Sequence, residues 1–232
     1  FDFPFEERRK LTYWSDLATS TVATGGSMPE ESRREGLMEC LEVFTQLKHE
    51  RESRDPAQHN DLVTMMAHSP ATKDMDPMEY LGNLILLIVG GNDTTRNSIS
   101  GGVLALNQFP EEYDKLRANP SLIRNMVPEI IRWQTPLSYM RRRCLNDTVV
   151  NGQTIKAGDK VAMWYCSGNR DERVIYNPDA FIIDRKQPRH HLAFGFGIHR
   201  CMGNRLAEMQ LRIIWEEILA RFSRVEVVAE PV

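Results

Sequence analysis

Phe194-Gly-Phe-Gly-Ile-His-Arg-Cys-Met-Gly203 sets one cysteine among three glycines, just ahead of an amphipathic pattern that begins at Asn204. Gly195 and Gly197 permit a tight backbone path that can aim amide N–H groups at a sulfur. Gly203 lets the backbone come close to a flat ligand. The dipole of the helix that follows favours a thiolate over a thiol, and Phe194 is placed to cover the sulfur from water. A single intracellular cysteine is ordinarily a small buried hydrophobe. These surroundings point instead to a functional thiolate at Cys201.

Outward from the loop, the rest of the chain is ordinary in composition. Its 232 residues are 41% hydrophobic and 26% charged, which is globular rather than disordered. That length suits one large domain or two small ones. The net charge of −3 gives no electrostatic case for nucleic-acid binding. Cys40, Cys144, Cys166 and Cys201 lie far apart, without the paired spacing of a zinc site or a disulfide framework. A reducing, cytoplasmic setting follows. The apolar run Leu84–Gly91 is far too short to span a bilayer.

Periodicity predicts a mainly α protein with a small β-sheet. Leu37, Met38, Leu41, Phe44 and Leu47 give Glu30–Glu52 an amphipathic helix, and Asp61–His68 is a short one. A helix starting at Asp76-Pro77 runs to about Phe109, roughly 50 Å long. Shorter helices follow at Glu111–Ala118 and Ser121–Gln134, with Pro128 a candidate break in the second. Thr148–Val150 and Gln153–Ile155 flank Asn151-Gly152 as a hairpin, and Lys160–Tyr165 is a further strand. Gly168–Phe194 reads as irregular, Asn204–Phe222 as the final helix and Arg224–Ala229 as a strand.

Gly90-Gly91-Asn92-Asp93-Thr94-Thr95 interrupts the longest helix with residues of poor helix propensity. Gly90 and Thr94 are four apart and share a face. A Thr hydroxyl can bond the carbonyl four residues earlier and bend a helix. Small residues and a bend would open a groove over a flat ligand. Close helix–helix packing is the plainer account of the two glycines.

The segment Phe194, Gly197, His199, Cys201, Gly203 matches F-x-x-G-x-H/R-x-C-x-G, and the chain thereby resembles the cytochromes P-450. The resemblance implies the C-terminal half of that fold, without its N-terminal helices and last C-terminal strands, so residues 1–232 would be part of a single domain. It implies haem b (iron protoporphyrin IX) held by the Cys201 thiolate, which favours O–O cleavage. Gly90, Gly91, Asp93 and Thr94 are similar to the family's [A/G]-G-x-D/E-T. Thr94 would steady dioxygen and its protons, and Asp93 would help deliver them. Glu129 and Arg132 match the E-x-x-R pair behind the haem. The family's third member is an Arg in P-x-R-F, but Pro178-Asp-Ala-Phe181 carries Ala180 there, and Arg185 is the alternative. Arg142, ten residues before Gly152, matches the Arg that pairs one haem propionate, and His199 would take the other. Leu137 and Met140 fall where the family lines its substrate pocket.

The implied reaction converts RH, O2, two electrons and two protons to ROH and water. Gly90–Asn97, Phe181–Arg185 and Asn204–Gln210 look like the bacterial alkane and fatty-acid terminal hydroxylases. A terpene or other small-molecule hydroxylase, a peroxygenase or isomerase, and a non-catalytic haem sensor are the rivals. Electrons would come from a ferredoxin and its reductase, docked on a basic face of Arg189, Arg200, Arg205 and Arg212. Leu84–Val89 is expected to expose apolar surface that the absent helices would cover.

Overall fold

Six α-helices precede the strands in the computed structural model, which describes residues 1–20 and 28–229. In order these are α1 (Arg9–Thr19), α2 (Glu30–Glu52), α3 (Leu62–His68), α4 (Pro77–Gln108), α5 (Pro110–Ala118) and α6 (Ile123–Gln134). There follow β1 (Tyr139–Arg143), β2 (Thr148–Val150), β3 (Gln153–Ile155) and β4 (Lys160–Trp164). One helical turn, α7 (Tyr165–Gly168), and the long α8 (Asn204–Arg221) complete the order. Two compact units divide the chain, Phe1–Asp93 and Thr94–Val232. Among the described residues no helix is long and apolar enough to cross a membrane.

The first unit is built on α2. Its Leu41, Phe44 and Leu47 are buried with Trp14 of α1, Val63 of α3 and Tyr80, Leu84 and Ile88 of α4. Met38 turns outward. Asp61 caps α3 by accepting the Thr64 amide at 2.9 Å. Arg51, buried near the end of α2, holds Asp2 at 2.5 Å and stands 3.5 Å from Asp61. The Leu84–Val89 segment does not present the apolar face expected of it: Leu84 and Ile88 belong to this core, and Leu86 alone is largely exposed.

In the second unit α6 and α8 pack together, with Met126, Ile130, Leu211 and Trp215 at the centre. Ala105 and Leu106 of α4 and Tyr113 and Leu116 of α5 complete that core. Gly101 and Gly102 make it fit. A side-chain carbon at Gly102 would lie 2.8 Å from Ile130 and 3.1 Å from Trp215, and one at Gly101 2.5 Å from Gln134.

Two two-stranded antiparallel ribbons replace the single small sheet. β1 pairs β4, with Met140 opposite Met163 and Arg142 opposite Val161, while β2 pairs β3 around Asn151-Gly152. Both turn residues are left-handed, as that tight turn requires. Three readings of the sequence are corrected. Pro128 does not break α6, because flanking buried side chains hold the helix across the missing amide bond. Arg224–Ala229 forms no strand: the Val225 and Val227 amides bond the Tyr113 hydroxyl and Asn107 side chain instead of a neighbour. Neither α1 nor β1 was signalled, since α1 buries only a narrow face and β1 is nearly all exposed.

Candidate cofactor site around Cys201

Gly195 and Gly197 both adopt positive φ, +69° and +71°, where a Cβ is strained. Gly195 donates to the Leu192 carbonyl at 2.8 Å, and a short turn follows over Gly197–His199. The chain thus doubles back, and the Cys201 amide donates to the Phe194 carbonyl at 2.8 Å. Gly203 caps α8, and a side-chain carbon there would lie 3.9 Å from the Cys201 sulfur, an ordinary contact. Cys201 itself is exposed, at the start of an 18-residue helix. Around it the large apolar side chains Phe196, Ile198 and Met202 are more than four-fifths exposed.

The Phe194 ring packs on the core and on the His191 ring, 5.5 Å between centroids, and its backbone carbonyl holds the Cys201 amide. His199 lies exposed at the end of the turn. His191 is half-buried, its desolvation pushes the imidazole down to about 4, and its Nδ1 accepts the Ala193 amide at 3.2 Å. A cavity of about 320 Å³ beside it is lined by Arg189, Phe194, Arg200, Arg205 and Glu208.

Glu129 and Arg132 form the buried pair expected of them, with two guanidinium–carboxylate bonds of 2.8 Å. Arg185 is the third member. Its Nε and Nη2 reach the two Glu129 oxygens at 3.0 and 3.1 Å. Ala180 contributes only its carbonyl, which accepts from Arg132 at 3.0 Å and from Arg185 at 3.2 Å. Further bonds from Arg132 to the Asn169 and Pro178 carbonyls and from the Ile182 amide to Glu129 satisfy the remaining donors and lone pairs. A buried ion cluster needs that many partners to offset its desolvation.

On β1 the period of two puts Met140 and Arg142 on one face, opposite Met163 and Val161 of β4. Tyr139 and Trp164 meet on the other face, ring centroids 4.8 Å apart. Arg142 is half-buried whereas Arg141 and Arg143 are exposed, which separates it from its neighbours as the sequence register did. Leu137 and Met140 each remain about two-fifths exposed.

In α4 the helix continues unbroken through Gly90–Thr95. A side-chain carbon at Gly90 or Gly91 would meet nothing within 4 Å, so the plainer packing account fits Gly101 and Gly102 and not these two. Asp93 accepts from Ser15 at 3.4 Å and Asn92 at 3.3 Å, and the Thr94 carbonyl accepts the Ser98 hydroxyl at 2.7 Å. Gly90, Gly91 and Asp93 belong to the first unit; Thr94, Arg142, His199 and Cys201 belong to the second.

Of the four cations assigned to a basic face, Arg189 is held by Glu208 at 2.7 Å and Arg212 faces Glu216 at 3.7 Å. Arg200 and Arg205 stay outside any ion pair among the described residues. Asn169 and His191, whose side chains hold the Leu192 and Ala193 amides ahead of the cysteine loop, are residues that sequence reading missed. Both lie in the stretch read as irregular, where no periodicity marks them.

The donor set decides what the site could hold. Among the described residues no three His, Cys, Asp or Glu side chains cluster to bind a bare ion. One exposed sulfur, apolar side chains around it and glycines that keep the backbone close fit a flat, apolar group bringing its own metal ligands, with the Arg142 guanidinium and a His199 N–H as donors for its acidic edge.

The family model described as Cytochrome P450 matches residues 32–230. Linalool 8-monooxygenase of Pseudomonas putida is 40% identical over 92% of this chain and 53% of its own length. The methyl-branched lipid omega-hydroxylase of Mycobacterium bovis is 38% identical over 78% of the chain and 42% of its own length. Among solved structures, CYP153D17 from Sphingomonas sp. PAMC 26605 is 52% identical, with a TM-score of 0.90 over all of this chain and 57% of the other. The chain spans about half the length of the curated relatives it matches.

Proposed function

This chain belongs to the cytochrome P450 family, and from that we propose that it is the thiolate-bearing part of a haem-dependent monooxygenase, its two units parts of one family domain. The enzyme would insert one atom of dioxygen into an unactivated C–H bond of an apolar substrate. The observation that carries this is Cys201: an exposed sulfur at a helix N-terminus, in a loop that two left-handed glycines fold back onto Phe194.

Haem bound here would supply oxygen activation at a thiolate-ligated iron, the sulfur favouring O–O cleavage. Cys201 is the ligand. Phe194, Gly197 and Gly203 hold the sulfur in place, Arg142 and His199 pair the propionates, and Gly90 and Gly91 keep one helix face flat. Asp93 and Thr94 would be the groups that hold and pass protons beside the bound haem, from the carboxylate to the hydroxyl. Glu129, Arg132 and Arg185 fix the scaffold behind the loop. Leu137 and Met140 give the substrate an apolar surface and no hydrogen bond.

The substrate is a medium-chain alkane or fatty acid, hydroxylated at its terminus, a reading supported by the likeness to a methyl-branched lipid omega-hydroxylase. The 40% identity to a linalool 8-monooxygenase favours one second reading, an acyclic terpene hydroxylated at an allylic carbon. A ferredoxin and its reductase supply the electrons, with Arg200 and Arg205 as the cations available for docking.

The test is oxygen uptake by the haem-loaded full-length protein with NADH, ferredoxin and reductase, alongside product analysis for octane, a medium-chain fatty acid and linalool. Uptake with hydroxylated product is expected, together with a strongly red-shifted Soret band in the ferrous carbonyl complex that Cys201→His abolishes. Turnover with peroxide alone would mean a peroxygenase, and haem binding with no turnover would mean a sensor.

A further inference from the structure

We propose that Asn169 is the positioning residue of the cysteine loop, coupling the buried Glu129–Arg132–Arg185 cluster to the backbone that carries Cys201. This rests on the haem-thiolate reading of Cys201 and adds a residue to it.

Asn169 follows the single turn of α7 and is completely buried. Its backbone amide donates to the Tyr165 carbonyl at 2.8 Å, so its position is fixed before the side chain is considered. From there three bonds run one way round a closed circuit. Arg132 Nη1 donates to the Asn169 carbonyl at 2.9 Å, Asn169 Nδ2 donates to Thr135 Oγ1 at 2.9 Å, and Thr135 Oγ1 donates to the Arg132 carbonyl at 2.7 Å. The free end of the amide points out of the circuit: Asn169 Oδ1 accepts the Leu192 amide at 2.6 Å. That settles which end is oxygen, because a reversed amide would set N–H against N–H at Leu192 and oxygen against a hydroxyl already committed elsewhere.

Leu192 is where the cysteine loop begins. Its carbonyl accepts the Gly195 amide, and the Phe194 carbonyl accepts the Cys201 amide. The next amide, Ala193, is held by the His191 side chain. Two successive amides at the loop entrance are therefore held by side chains rather than by a strand ladder. The Asn169 bond is the shorter, and it alone leads back to the ion cluster.

Thr135 supplies an independent observation. It ends α6 with φ +43°, a left-handed conformation that a β-branched residue rarely takes. Glycine would take it without strain but has no hydroxyl. Such strain persists only where the surroundings over-determine it, and here the two bonds to the Thr135 hydroxyl do so.

Asn169→Asp keeps the shape and removes the amide protons, so the Thr135 hydroxyl must abandon either the new carboxylate or the Arg132 carbonyl. In the haem-loaded full-length protein most of the red-shifted ferrous carbonyl band should give way to the shorter-wavelength band of a lost thiolate. The Leu192 and Ala193 amides should exchange with deuterium faster than in wild type. Thr135→Val should do the same, whereas Thr135→Ser, which keeps the hydroxyl, should restore band and protection at unchanged helicity. Should Asn169→Asp fail to fold, the Thr135 pair decides. Wild-type band and exchange in Thr135→Val, or in a folded Asn169→Asp protein, would overturn the inference. A full-length wild-type protein that binds haem without the band would overturn the haem-thiolate reading itself, and this inference with it.

Discussion

At the scale of single residues, the second unit is organised by two guanidiniums on one carboxylate. Arg185→Ala takes one away and leaves Glu129 buried with a single guanidinium and the Ile182 amide. A loss of about 3–5 kcal/mol is expected, read as a lower urea midpoint at unchanged slope. His191 gives a pH dependence whose sign is fixed. Desolvation of the half-buried ring, opposed by Glu208 and aided by Arg200 and Arg132, lowers its folded value to about 4, against 6.5 when unfolded. Between those values the unfolded chain binds the extra proton, so stability is whole above pH 6.5 and drains as pH falls toward 4. The loss approaches about 3 kcal/mol, and His191→Gln should flatten it in denaturant titrations at pH 7 and pH 4.5. For Thr94 the expectation is kinetic. Thr94→Ala should leave substrate affinity nearly unchanged while product per NADH falls and peroxide rises. Unaltered coupling with weaker binding would make Thr94 a packing residue. Cys201, Glu129 and Arg132 could be read from fixed spacings in the sequence. Arg185 was legible only as an alternative, because it meets Glu129 through a loop that tertiary packing brings round, not through local spacing.

At the scale of elements, glycines in one helix have opposite duties. Gly102→Ala would drive a methyl to 2.8 Å from Ile130, and overpacking there should cost about 1–3 kcal/mol in thermal melts. Gly90→Ala meets open space and should stabilise the haem-free chain by about 1 kcal/mol through helix propensity. If the flat face serves the cofactor, the same change lowers haem content; full haem content would remove Gly90 from the site. The long helix was readable because Pro77 and Pro110 bracket it and three-to-four spacing fills the interval. The tail after α8 misled because Arg224–Ala229 has a strand's composition, whereas a strand also needs a partner edge. Its amides bond Asn107 and Tyr113, residues more than a hundred positions away that no local pattern announces.

At the scale of the whole molecule, the chain answers to half the length of its curated relatives, so it should not suffice as a haem protein. The 232-residue chain alone should take up haem below one equivalent and lose it on gel filtration, measured by absorbance titration. Full and lasting uptake would show that these residues are enough. Both units hold a thiol of their own, and their burial is graded. Cys201 is exposed, Cys144 and Cys166 are half-buried, and Cys40 is sealed in the first unit's core, its thiol pushed up to about 12. Alkylating reagents should therefore meet Cys201 at once and Cys40 only when the first unit opens. The chain carries a built-in clock: the rate at which Cys40 takes up a maleimide times the breathing of Phe1–Asp93, with no dye or tag introduced.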